Sequence, residues 1–251
     1  MRRRRRSRER EPAEHRAFPA LRGGSASLRP GLGYLHMPWF ASFFPRRIWR
    51  LSPDGVRRLY LTFDDGPTPG ITDWVLDQLA RHNAKGTFFF LGKNAVAHPQ
   101  LVDRARREGH TLGHHTYHHA NGWKTRFAQY LEEVEAGQKA IGGPWFRPPY
   151  GKISAAQARA VRQKGLHLVM WDVLSKDYQN SLSPEKSWQR VKKGVRPGSI
   201  VVFHDSRKAE ERLRYALPRT LDYFGQEQFH FCGLNEAAPK ASLAPLAPDN
   251  G

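Results

Sequence analysis

The chain has 251 residues, 39% of them hydrophobic, which is enough to bury the core of one large domain. Its formal charge of +18 is uneven: residues 1–36 hold ten Arg and three Glu, or +7, and the remaining +11 is spread over the rest. The single Cys232 excludes an intrachain disulfide and a multi-cysteine metal site, and no window approaches the ~20 apolar residues of a membrane span.

The opening Met1-Arg2-Arg3-Arg4-Arg5-Arg6-Ser7-Arg8 has no apolar stretch behind it. No cleavable secretory or twin-arginine signal is therefore expected, and localisation stays open between the cytoplasm and the cell envelope. Residues 1–36 read as a solvated, disordered arm, although such arms also bind nucleic acid or anionic surfaces. Met37 opens a more ordinary sequence and is an alternative start that would leave the arm untranslated. Residues 37–57 form a lead-in segment.

From residue 58, strand-like and helix-like runs alternate. Arg58–Phe63 is rich in the aliphatic and aromatic residues that strands prefer, and Gly66-Pro67 stops it. Residues 86–91, 166–171 and 199–204 are nearly continuous apolar segments, as strands buried on both faces are. Amphipathic stretches at 72–83, 98–108, 125–141, 154–164 and 184–193 predict helices between them. Ser154 and Ser183 are expected N-caps with Pro184 at the first helical position, and Gly109, Gly142, Gly165 and Gly194 mark helix ends. Cys232, in Phe229-His230-Phe231-Cys232, reads as a small core residue. Residues 236–251, rich in Ala and Pro, form a disordered tail.

Such alternation predicts a parallel sheet covered by helices, curled into a closed or partly closed barrel. In barrels the chemistry gathers at the C-terminal ends of the strands, and Asp64, Asp65, Asp172 and His204 are read at or near such ends. Asp64 and Asp65 are neighbouring carboxylates, a costly pair unless something neutralises it. Residues 110–119 carry five histidines, too many for a core. Two imidazoles four residues apart share one face of a helical turn and can share an ion. The pairs 110/114, 114/118 and 115/119 all satisfy that rule. With Asp65, any of them makes a carboxylate-plus-two-histidine set that leaves positions open for water and substrate.

Five stretches in order give the chain a close resemblance to the polysaccharide deacetylase family, the NodB-homology or carbohydrate esterase 4 family, over about residues 58–235. They are Thr62-Phe63-Asp64-Asp65-Gly66-Pro67, His115-Thr116-Tyr117-His118-His119, Arg147-Pro148-Pro149-Tyr150-Gly151, Trp171-Asp172-Val173-Leu174-Ser175-Lys176-Asp177-Tyr178 and Val202-Phe203-His204. The resemblance implies a distorted or incomplete (β/α) barrel of about seven strands forming a single catalytic domain. It selects the pair 115/119 and implies that Asp65, His115 and His119 bind a divalent metal, zinc before others. Asp64 would be the general base, His204 the general acid, Arg147 the partner of Asp64, and the Tyr150 N–H an oxyanion donor.

The implied reaction is hydrolysis of N-acetyl groups on amino sugars of a peptidoglycan-like or chitin-like glycan, with no nucleic acid expected on the folded domain. In the fourth stretch Leu174 stands where the family has a carboxylate that tunes the catalytic histidine. Asp172, two residues earlier and so on the same side of a strand, is the expected substitute. That departure also motivates the alternative of a catalytically silent carbohydrate-binding relative. Tyr178 is expected to line the groove. Trp145 and Trp171 are read as core, and His110, His114 and His118 as solvated or lying behind the ligands.

Overall fold

The computed structural model describes residues 47–51 and 55–237. The arm 1–36, most of the lead-in and the tail from 238 lie outside the described residues. The strands are β1 (Arg58–Asp64), β2 (Gly86–Phe90), β3 (Thr111–His114), β4 (Trp145–Phe146), β5 (His167–Leu168), β6 (Val173–Leu174), β7 (Ile200–His204) and β8 (His230–Phe231). The helices are α1 (Thr72–Arg81), α2 (Gly92–Ala97), α3 (Pro99–Arg107), α4 (Phe127–Ile141), α5 (Ala155–Gln163), α6 (Pro184–Gly194), α7 (Glu210–Gln226) and α8 (Leu234–Ala237).

Seven of the strands form a curled half-barrel in the order β5-β4-β3-β2-β1-β7-β6, and β8 pairs with the start of β1. Every pairing within it is parallel, as the alternation of elements requires. β1 lies at the centre, and from Leu59 to Asp64 it is buried on both faces. Phe63 stacks between Phe88 and Phe203, with ring centroids 5.0 and 6.2 Å away, so side chains rather than solvent fill the sheet's helix-covered face. Cys232 is buried in the core, as expected.

The two edge strands, β5 and β6, follow each other in sequence with only residues 169–172 between them. Arg47–Leu51 lies along that gap. Ile48 donates its N–H to Leu168 (2.8 Å) and accepts one from Met170 (2.7 Å), while the Leu51 N–H reaches the Gly198 carbonyl (3.0 Å) before β7. Trp49 is buried beside Met170.

The expected caps are present. Ser154 forms a reciprocal capping box with Gln157, and Ser183 accepts from the Lys186 N–H with Pro184 following it. The apolar run 166–171 yields only a two-residue strand, because its second half turns back across the barrel gap. α7 occupies a stretch where the sequence suggested no element. Its Leu213, Ala216, Leu217, Thr220, Leu221 and Phe224 make a buried stripe at helical spacing, and Pro218 inside it masks the pattern. α8 carries the ordered fold to Ala237, past the expected boundary at 235.

Candidate active site

β1 delivers the two aspartates to the C-terminal end of the sheet. The chain then reverses through Asp65 (φ 80°) and a cis Gly66–Pro67 bond. Each carbonyl of this turn is held: Asp64 by the Asp205 N–H (3.1 Å), Asp65 by Asn94 Nδ2 (2.8 Å) and Gly66 by the Leu91 N–H (2.9 Å). The Gly66 N–H donates to Asp205 Oδ1 at 3.0 Å, and the Thr72 hydroxyl donates to the other oxygen. A Cβ on Gly66 would overlap the Asp205 carboxyl, so only glycine admits that group. Burial pushes Asp205 up to about 8 against the Thr72 hydrogen bond, and the charge of Asp65 adds to the rise. Sequence reasoning missed Asp205; its one signal was a charged residue directly after an apolar strand.

His115 and His119 come from the loop after β3. The four-residue spacing is not helical: Thr116 (φ 62°) and His119 (φ 65°) are left-handed, and the loop rather than a helix turn brings the rings to a 5.0 Å centroid separation. Ligand atoms of Asp65, His115 and His119 all lie within 4.8 Å of one another. Asp65 Oδ1 is 3.3 Å from His119 Nε2 and 4.0 Å from His115 Nε2. His115 Nδ1 is 2.6 Å from the Arg147 carbonyl, which makes Nδ1 the protonated nitrogen and leaves the Nε2 lone pair facing Asp65.

Burial holds His115 well below the usual histidine range and lowers His119, so both are neutral, the form that binds metal. Asp65 Oδ1 is buried with no hydrogen-bond partner among the described residues. An orphaned carboxylate oxygen facing two neutral imidazoles fits a divalent cation.

The other histidines separate. His118 is exposed and paired with Glu133 at 2.7 Å, as a solvated residue should be. His110 and His114 are instead buried, which corrects the expectation for a solvated pair. His110 accepts the Gly86 N–H (3.1 Å), and His114 stacks on Phe146 with a 4.8 Å centroid separation.

Asp64 is buried and meets the Arg147 guanidinium at 2.8 Å. Arg147 is fully buried, so it is not the surface cation its Pro-Pro neighbourhood allows. Its other hydrogen bonds go to the Thr62 hydroxyl (2.7 Å) and the carbonyls of Met170 (2.9 Å) and Val169 (3.3 Å), and Phe89 lies 4.2 Å beneath it. Tyr150 is left-handed (φ 60°), and its exposed ring packs edge-on to His119 at 4.5 Å.

Across the site, His204 is held by Asp177 rather than Asp172. One Asp177 oxygen meets His204 Nδ1 at 2.7 Å and the other accepts the His204 backbone N–H at 2.8 Å. Burial opposes the imidazolium, but the charge and hydrogen bond of Asp177, with Asp65 and Asp64 behind it, raise His204 to about 9.

Asp172 sits at the other end of β7, bonded to Ser199 Oγ (2.9 Å) and the Ile200 N–H (2.8 Å), and burial pushes it up to about 6. The alternation argument failed because residues 169–172 are the return across the barrel gap, not a strand running into the site. Tyr178 packs edge-on against His204 at 4.9 Å, in the groove-lining place expected of it. Trp145 is buried with Nε1 on Asn235 (2.6 Å), and Trp171 packs against the core.

A family model described as polysaccharide deacetylase matches residues 52–169. A chitooligosaccharide deacetylase from Azorhizobium caulinodans is 33% identical over 161 residues, 61% of this chain and 76% of that protein. The chain belongs to the polysaccharide deacetylase family. Another relative in the family is the peptidoglycan-N-acetylglucosamine deacetylase PgdA of Listeria monocytogenes, 34% identical over 188 residues. That match covers 72% of this chain, which spans only 38% of the Listeria protein's length. Among solved structures, a peptidoglycan N-acetylglucosamine deacetylase bound to a naphthyl N-hydroxybenzamide superposes with a TM-score of 0.74 at 27% identity, over 80% of this chain and 96% of that one. Deacetylases of this family thus share the half-barrel found here.

Proposed function

We propose that this chain is a metal-dependent hydrolase that removes N-acetyl groups from amino sugars in a glycan. The observation that carries the reading is the division of labour between neighbouring carboxylates: Asp65 faces two neutral histidines, while Asp64 faces Arg147. A bound divalent cation, zinc before others given one carboxylate and two imidazoles, would lower the pKa of water toward ~7 and polarise the acetyl carbonyl.

The remaining work falls to side chains and backbone. Asp64, positioned by Arg147, takes the proton of the attacking water, a contribution of about 10²–10⁴-fold for a placed base. The Tyr150 N–H donates to the oxyanion as the carbonyl becomes tetrahedral. His204, protonated at neutral pH through Asp177, gives its proton to the nitrogen as the C–N bond breaks. Acetate and a free amine leave.

The test is acetate release from N-acetylglucosamine oligomers and from peptidoglycan, with and without a chelator. Release should require the metal and return on its addition; release indifferent to chelation would overturn the reading. Asp64→Asn should retain metal and lose about 10²–10⁴-fold in kcat, whereas His115→Ala should lose metal in equilibrium dialysis.

A further inference from the structure

Trp123 is 68% exposed, on the loop that leaves the site four residues after His119. That loop is tied to the one carrying Tyr150: the Gly122 N–H donates to the Lys152 carbonyl (3.1 Å), and Gln157 Nε2 donates to the Gly122 carbonyl (2.9 Å). Lys152 Nζ lies 5.3 Å from the centre of the Trp123 ring. From His119 outward the surface therefore presents Tyr150, then Trp123 with a cation against it.

The charge around this patch has one sign. The loops following β3, β4, β6 and β7 carry Lys124, Arg126, Lys152, Lys176, Arg207 and Lys208, none in an ion pair among the described residues. The carboxylates on those loops are Asp177 and Asp205, both fully buried and bonded inward. An exposed tryptophan is a stacking face for a pyranose ring, and unpaired cations around it favour a ligand with negative charge.

We propose that the Trp123–Lys152 face binds the sugar next to the one being deacetylated, and that this sugar bears a carboxylate. The substrate is then a glycan alternating N-acetylated and acid-bearing rings, as a peptidoglycan strand does, rather than a neutral homopolymer. The ring stacks on Trp123, and its carboxylate meets Lys152, Lys124 and Arg126. This inference rests on the deacetylase reading and adds to it a specificity that His204 and the aspartates do not supply.

The experiment compares acetate release by the metal-loaded chain from three tetrasaccharides: N-acetylglucosamine alone, N-acetylglucosamine alternating with N-acetylmuramic acid, and the latter with its carboxylates methyl-esterified. The acid form should be favoured by about tenfold or more in kcat/KM at low salt, with the advantage shrinking as salt screens the cations. Lys152→Gln combined with Lys124→Gln should cut that preference through KM. Trp123→Ala should raise KM for all three about tenfold, a loss on the order of 1.4 kcal/mol. Unchanged metal content and thermal midpoint would show that the variants are folded.

Equal kcat/KM for the acid and esterified forms, or a preference indifferent to salt and to Lys152→Gln, would overturn the inference and leave the deacetylase reading standing. Acetate from none of the three would overturn both.

Discussion

Asp177 grips His204 twice, on the ring and on the backbone, so one carboxylate sets both the position and the charge of the catalytic imidazole. The free imidazole titrates near ~6.5, and here the value is about 9. The protonated acid is therefore the neutral-pH form, and kcat should fall as pH rises through about 9. A cation on Asp65 offsets the part of the lift that comes from the aspartates of the metal set and leaves the part due to Asp177.

The sign for stability is the same. A raised histidine contributes stabilisation fully present below ~6.5 and lost as pH climbs through the folded value. Asp177→Asn should move the alkaline limb of the pH–kcat profile down by at least about one unit, because burial is then unopposed; an unmoved limb would show that another group is the acid. Asp64, Asp65, His115, His119, Arg147 and His204 were legible because their spacing and order in the chain carry the chemistry. The choice of Asp177 over Asp172 was not, since it depends on where the chain reverses between β5 and β6.

At the scale of elements, the end of β1 is shaped by the first residue beyond β7. Asp205 holds the Gly66 N–H and the Thr72 hydroxyl, and its own N–H holds the Asp64 carbonyl. With its carboxyl raised to about 8, Asp205 is protonated at neutral pH, and a folded chain must ionise it in a buried place as pH rises through that value. Asp205→Asn should therefore preserve stability at pH 7 and remove the loss above about pH 8. Asp205→Ala should instead cost about 1–3 kcal/mol by stranding two buried donors. Urea denaturation at neutral and at alkaline pH reads both. Long, strongly patterned elements such as β1, β7, α4 and α6 could be anticipated from their sequences. The two-residue strands could not, because tertiary pairing rather than periodicity defines them, and α7 was hidden by its internal proline.

The whole molecule is a barrel left open on one side, and the opening is spanned by a piece of chain from outside the βα alternation. Arg47–Leu51 supplies hydrogen-bond partners to Leu168, Met170 and Gly198 that no strand provides. A chain beginning at Gly55 should lose at least ~2 kcal/mol, the cost of unsatisfied backbone groups and the lost burial of Trp49, read as a lower urea midpoint than that of the full chain. Its kcat should fall too, since the stretch pinned by Ile48 carries the Val169 and Met170 carbonyls that hold the Arg147 guanidinium. An unchanged midpoint would mean that the half-barrel closes without this segment. Nothing in the composition of residues 47–51 announced the role.

Arg147 has one further consequence. Its carbonyl oxygen orients His115, and its guanidinium, several bonds away, orients Asp64. The ion's seat and the proton's acceptor are thus registered to a single amino acid, as two instruments are to one mounting rail. A small slide of β4 carries both along and leaves their separation intact. Anyone moving this chemistry to another scaffold would need to transplant that rail before the instruments.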